Sequence, residues 1–258
     1  MPADEKITIT VISPHRDDAA LALGLAIERW TSDGVHVQIL TCFTISDFAP
    51  FADARTAHEV TRLRQQEDQH WLNRLGATVS MIDLGGIDAP LRVDVRRDRP
   101  TVDRPLGPRD HEAMQQLTAQ LTALQTDGLV IAPLAISRHV DHRIARDAAL
   151  QVCDPQRLAF FEDVPYASLD PSNDLAGVVS EVQAKLGRRI SPVSVTRNPS
   201  PADKRRLIDV YRSQFTSDQL DRIAASAADG ERLWAVAGGA LHTARYRRKC
   251  AALCGSDK

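Results

Sequence analysis

The sequence predicts a single α/β domain spanning residues 1–258, with a mainly parallel sheet and helices on both faces, a Rossmann-like layout. Short β-branched runs alternate with longer Ala- and Leu-rich stretches over the first two thirds of the chain. Gly34 follows the first helical stretch as a natural C-terminal stop, and Gly76 lies beyond the second. A length of 258 residues, 43% hydrophobic and 26% charged, suffices for one sizeable core.

The elements follow in order. Residues 6–13, Lys-Ile-Thr-Ile-Thr-Val-Ile-Ser, read as a buried strand, Ala19 to Asp33 as a helix, and Val35 to Phe43 as a second strand. Strand, helix and strand make a βαβ unit, which implies parallel pairing with a right-handed crossover. After a loop at Phe48 to Thr56 come a helix from His58 to Leu75 and a strand from Val79 to Leu84. Asp88 to Gly107 is polar and Pro-rich, the pattern of a long functional loop. Then come a helix (His111 to Thr126), a strand (Gly128 to Pro133), a helix (Asp141 to Cys153) and a strand (Arg157 to Phe161). In the last third, Ser191 to Thr196 reads as a strand and Pro201 to Gln214 as a helix. Asp218 to Ser226 and Glu231 to Val236 read as short helices.

The net charge of −2 gives no reason to expect nucleic acid or an anionic membrane as partner. Local Arg clusters, Arg96, Arg97 and Arg99, then Arg245, Arg247 and Arg248, read as solvated surface. No signal peptide and no apolar run of membrane-spanning length are seen. Cys42, Cys153, Cys250 and Cys254 lack the two tight pairs of a four-cysteine zinc site. They read as reduced and mostly structural, and a cytoplasmic location is expected. A homo-oligomer stays open.

In open α/β sheets, ligands bind at the carboxyl ends of the strands. The first such end reads Ser13-Pro14-His15-Arg16-Asp17-Asp18-Ala19; the end of the Gly128–Pro133 strand leads to Ser137-Arg138-His139-Val140-Asp141-His142. His139 and His142, one helical turn apart, would share a face. Two His and an Asp make a sensible zinc set that leaves a position for water, whose pKa the metal lowers to ~7. A second carboxylate could take a proton, and a spare His could stabilise an oxyanion or protonate a leaving amine. Asp17 or Asp18 could instead cap the following helix, and His139 and Asp141 could form a surface pair. Each block alone is weak; both together, each after a predicted strand, are strong. His36, His58, His70, His111 and His242 lack such company and read as structural or surface residues.

These blocks resemble the LmbE-like, or PIG-L, zinc-dependent N-deacetylases, whose hallmark is His-Pro-Asp-Asp-Glu followed later by His-x-Asp-His. The resemblance extends to Arg64-Gln65-Gln66-Glu67 with Leu75-Gly76, to Phe161-Glu162-Asp163-Val164-Pro165-Tyr166-Ala167, and to Lys204 with Tyr211-Arg212-Ser213-Gln214. It implies that His15, Asp18 and His142 bind Zn2+ and that Asp17 is the general base. It also implies that His139 stabilises the oxyanion or acts as acid, with Asp141 orienting it. Arg16 stands where Pro is common, and Ala19 where Glu is common. Ala19 is similar to the subset from antibiotic and other secondary-metabolite pathways. Arg16 either contacts a polar or anionic substrate group or is a plain surface residue. Arg64 either binds substrate or pairs with Glu67 on its own helix; Asp163 and Tyr166 either line the pocket or pack and cap.

The expected activity is hydrolysis of an N-acetyl group on an amino sugar or secondary-metabolite intermediate, releasing acetate and a free amine. One alternative is an amidase acting on a thiol conjugate of an amino sugar–inositol; another is a sugar-binding member that has lost catalysis. A dinucleotide site is discounted: the first turn has no Gly-x-Gly-x-x-Gly, and two carboxylates there would repel a pyrophosphate. The nitrogen- and oxygen-rich set would also suit Fe(II) or Co(II).

Overall fold

The computed structural model describes residues 7–92, 104–126, 128–165, 167, 174–196, 199–243 and 246. The first βαβ unit is β1 (Thr8–Ser13), α1 (Asp18–Ser32) and β2 (His36–Ile45). The predicted stop at Gly34 adopts a φ of 77°, which a side chain would resist. Then come α2 (Ala57–Leu72), β3 (Val79–Ile87), α3 (Ala89–Arg92), α4 (Pro108–Leu124), β4 (Leu129–Pro133), α5 (Val140–Val152) and β5 (Leu158–Phe161). The capping box at Thr56 and Glu59 sets the start of α2. The chain closes with α6 (Leu175–Leu186), β6 (Ile190–Ser194), α7 (Pro201–Ile208), α8 (Ser217–Ser226) and β7 (Arg232–Val236).

The sheet has seven strands in the order β3-β2-β1-β4-β5-β7-β6. β1 pairs in parallel with both β2 and β4, while β7 pairs antiparallel with β5 and β6. The fold is therefore the expected single α/β domain with a mostly parallel sheet. Alternate residues of β1 separate two cores: Ile9 and Val11 pack with Trp30 of α1 and Trp71 of α2, and Ile12 packs with Leu117 of α4 and Ile144 of α5. The chain runs outward from β1 to β3 and then returns to β4. The switch point thus falls between the carboxyl ends of β1 and β4, where a ligand crevice is expected.

Four stretches depart from the sequence expectation. Glu231 to Val236 is not a helix: Arg232–Val236 is strand β7, with Leu233 and Ala235 buried between β5 and β6. Helix-favouring Glu, Leu and Ala yield there to a two-sided backbone ladder. The helix from Pro201 ends at Ile208, because the next residues turn to bring Ser213 onto Glu67 of α2. Asp88 to Gly107 opens with the short helix α3; residues 93–103 lie outside the described residues. Helix α6 adds an element to those expected, its start capped by Asp174. Cys42 and Cys153 are free thiols, and Cys250 and Cys254 lie outside the described residues. Among the described residues, no helix is long and apolar enough to cross a membrane.

Candidate metal and catalytic centre

The turn after β1 is closed by its own side chains. Ser13 Oγ donates to the His15 carbonyl (2.6 Å) and accepts from the Ala19 amide, while Asp18 Oδ2 accepts from the His15 amide (2.7 Å). Asp17 stands at the N-cap of α1 but makes no side-chain capping bond, so its carboxylate is left for other work.

The facing loop, Leu134 to His139, is held in a strained shape. Ala135 (φ 64°) and Arg138 (φ 55°) are left-handed without being glycine. The Ile136 amide donates to Asp163 (2.8 Å) and the His139 amide to Ser137 Oγ (3.1 Å). His139 caps α5, its Nδ1 accepting from the Asp141 amide (3.2 Å). That bond leaves Nε2 to carry the proton of the neutral ring.

The two loops converge. Asp18 Oδ2 lies 3.2 Å from His15 Nδ1 and 3.3 Å from His142 Nε2, and one ligand atom from each of the three falls within 4.8 Å of the others. His15, His139 and Asp141 form a second set that meets the same condition. The His139 ring centroid is 5.1 Å from that of His15 and 5.5 Å from that of His142.

The electrostatics show what the pocket favours. Burial works against a charged imidazole at His15, yet Asp141, Asp18 and Asp88 hold it well above its ordinary range. At His142 burial is likewise overcome, by Asp18 and Asp163, and the ring is pushed up to about 10. Asp18, despite its burial, is held well below the usual carboxylate range by His142 and His15. His139 is lowered to about 3, by burial and then by repulsion from His15 and His142. Burial raises Asp17, with Asp18 adding to it and Arg64 and His15 opposing. Carboxylates thus favour positive charge where the nitrogens of His15 and His142 meet Asp18, and a divalent cation suits that donor set.

The remaining candidates fall as follows. The Asp141 carboxylate turns to His15 (3.1 Å), the Ala89 amide and Arg92, so the backbone of Asp141, not its carboxylate, orients His139. Arg16 is 3% exposed and is neither at the surface nor open to a ligand; it donates to Asp68 (2.8 Å) and Asp83 (2.6 Å). Arg64 does not pair with Glu67. It reaches Ser46 Oγ (3.2 Å) and Asp17 (3.4 Å), while Glu67 accepts from Ser213. Asp163 binds His142 Nδ1, and Tyr166 lies outside the described residues. Sequence reasoning missed Asp88, which lies 3.5 Å from His15 Nε2 and accepts from Ser46 Oγ (2.6 Å). Its one signal was a carboxylate just beyond a predicted parallel strand. A cleft of about 550 Å³ beside β5 is lined in part by Leu21, Glu162, Val164 and Lys204, and not by the residues of the centre.

The chain is 28% identical over 177 residues to a 2'-N-acetylparomamine deacetylase of Streptomyces fradiae, covering 67% of this chain and 62% of the relative. It is 26% identical over 148 residues to a diacetylchitobiose deacetylase of Thermococcus kodakarensis, covering 56% and 48%. The chain thus spans 62% and 48% of the length of these two curated relatives. A solved deacetylase from the teicoplanin biosynthesis pathway superposes with a TM-score of 0.68 at 25% identity, over 88% of this chain and 96% of that one. The model of the PIG-L, GlcNAc-PI de-N-acetylase, family matches residues 10–153, more than half of the chain, and the protein belongs to that family.

Proposed function

We propose that the protein removes the N-acetyl group of an amino sugar or related secondary-metabolite intermediate, giving acetate and a free amine. The observation that carries this reading is the convergence of His15, Asp18 and His142 beside Asp17, a carboxylate that makes no capping bond, and a singly protonated imidazole, His139. The deacetylase relatives support the reaction class.

His15 Nδ1, Asp18 and His142 Nε2 would hold Zn2+, which as a Lewis acid would polarise water and the amide carbonyl. Asp17 accepts the proton of the attacking water, and its raised pKa makes it the stronger base. A C–O bond forms at the acetamide carbon, and His139 Nε2–H donates to the oxygen on which negative charge grows. The C–N bond then breaks, and the proton held by Asp17 passes to the leaving nitrogen. Arg64, 3.4 Å from Asp17, keeps that carboxylate in place. Asp163 and Asp141 set the rings of His142 and His15.

The test is acetate release by the zinc-loaded protein from a panel of N-acetyl amino sugars and aminoglycoside intermediates. Acetate in step with free amine is expected from at least one. Silence across the panel, with turnover of a thiol conjugate of an amino sugar–inositol, would shift the reading to an amidase.

A further inference from the structure

Helix α1 is broken inside its length. Leu23 has φ −131° and ψ 16°, outside the helical region, so two helical segments meet at this residue. The first segment carries Asp18 in its first turn, with Asp17 at its N-cap. The second packs Ile27 and Trp30 into the core. A sharp break in a helix has a local cause, and a side chain entering the hydrogen-bond ladder is one. Here two side chains from the far end of the sequence do so. Lys204 of α7 donates to the Ala20 carbonyl (3.0 Å). Glu231, just before β7, accepts from the amides of Leu25 (3.1 Å) and Ala26 (2.8 Å). The two side chains also pair with each other.

A continuous helix would pair the Gly24, Leu25 and Ala26 amides with the carbonyls of Ala20, Leu21 and Ala22, and all three bonds would cross Leu23. The ion pair therefore caps both sides of the break. The cation sits at the carbonyl end of the first segment and the anion at the amide end of the second, the sign each helix end favours. Both side chains are buried. A buried ion pair is a costly way to satisfy groups that an unbroken helix would satisfy alone. The pair is thus explained by the direction it gives the helix rather than by the stability it adds. Its mounting is fixed: the Glu231 amide donates to Thr196 Oγ1 (2.8 Å), and the Glu231 carbonyl accepts from the Val195 amide (2.9 Å). Beyond α7, the Tyr211 hydroxyl donates to the Arg16 carbonyl (3.4 Å). The two carbonyls held from this side, those of Arg16 and Ala20, bracket Asp17 and Asp18.

We propose that Lys204 and Glu231 are positioning residues for the metal centre: they hold α1 open at Leu23 and so aim its first turn, with Asp17 and Asp18, at His15 and His142. The proposal rests on the metal-centre reading above. Asp18 Oδ2 lies 3.2 Å from His15 Nδ1 and 3.3 Å from His142 Nε2. A convergence of this kind tolerates displacements of only about 0.5 Å. The cleft beside β5 borders the break, with Leu21, Ala22, Lys204 and Glu231 in its lining, so the first segment has room to move once the pair is gone.

The test uses two variants of the full chain. Lys204→Met with Glu231→Leu removes both charges and leaves no lone buried ion. Glu231→Asp keeps the charge and withdraws the carboxylate by one methylene. Three quantities are read: Co(II) affinity by competition with a chelating dye, the visible d–d spectrum of the Co(II)-loaded protein, and the urea midpoint. In the double variant, affinity should fall by about tenfold and the d–d spectrum should change in position or intensity. On any N-acetyl amino sugar that the wild type turns over, kcat should fall with KM held. Glu231→Asp should show the same changes to a smaller degree. A purely structural pair would lower the urea midpoint and leave the affinity and spectrum of the folded protein at wild-type values. That result in the double variant, or in Glu231→Asp if the double variant does not fold, would overturn the proposal and spare the metal centre. A wild type that binds neither Co(II) nor Zn2+ would overturn the metal-centre reading and this one with it.

Discussion

Asp163 is the single acceptor for two donors that build the second half of the centre. One of its oxygens takes Nδ1 of His142, and the other takes the Ile136 amide at 2.8 Å. The first bond directs Nε2 of His142 toward Asp18, and the second fixes the loop that carries His139. Asparagine has one acceptor oxygen, so in Asp163→Asn an N–H must face one of the two donors. Metal affinity in Asp163→Asn should fall by about 10- to 100-fold, read by competition with a chelating dye. Unchanged affinity would mean that His142 needs no such partner.

Asp17 is separable from the metal site. It makes no capping bond, and among the described residues its side chain pairs with Arg64 at 3.4 Å. Asp17→Asn should therefore keep one metal per chain while turnover drops by about 10²- to 10⁴-fold. Acetate release measured beside metal content separates the two. Full activity would remove Asp17 from the proton path.

How much of this was legible in the sequence follows from distance along the chain. His15, Asp17 and Asp18 lie within four positions, and His139, Asp141 and His142 do likewise, so each block could be read locally. That both sit at carboxyl ends on one rim of the sheet followed from the alternation of strands and helices; the switch point between them came from the strand order. Partnerships across the fold were not legible. Arg16 meets Asp68 and Asp83, and Asp141 meets Arg92, at separations no period encodes. Strand β7 was misread for the same reason: its identity depends on β5 and β6 on either side.

Asp110 yields a prediction about acid. It accepts from Arg104 (2.6 Å), Arg92 (2.8 Å) and the Gly107 amide (2.9 Å). Burial alone would raise its pKa, but these three outweigh it and hold the group at about 2. An unfolded carboxyl titrates at ~3.9, so the folded state binds this proton more weakly. The stabilisation, about 2 kcal/mol, is full above pH ~4 and is lost as pH falls toward the folded pKa. The urea midpoints of wild type and Asp110→Asn should differ by a constant amount near neutrality and converge in acid. A gap that stayed constant into acid would show that Asp110 does not carry this linkage.

Arg16 should matter for stability more than for substrate. Its guanidinium lies between α2 and β3, donating to Asp68 and Asp83, and its carbonyl lies 3.4 Å from the Tyr211 hydroxyl, which also donates to Asp68 (3.2 Å). Asp68 is 2% exposed, so removing the arginine leaves a buried carboxylate without its cation. Arg16→Ala should cost about 3–5 kcal/mol in urea unfolding, the usual loss for breaking a buried pair from one side. Asp68→Asn should cost less, because Asp83 still neutralises the arginine and asparagine still accepts a hydrogen bond. If Arg16 bound substrate instead, Arg16→Ala would raise KM at unchanged stability. Because Arg16 lies between His15 and Asp17, the stability change should be accompanied by a weaker metal site. Arg16→Lys should restore part of both, since lysine keeps the charge and loses the two-pronged geometry.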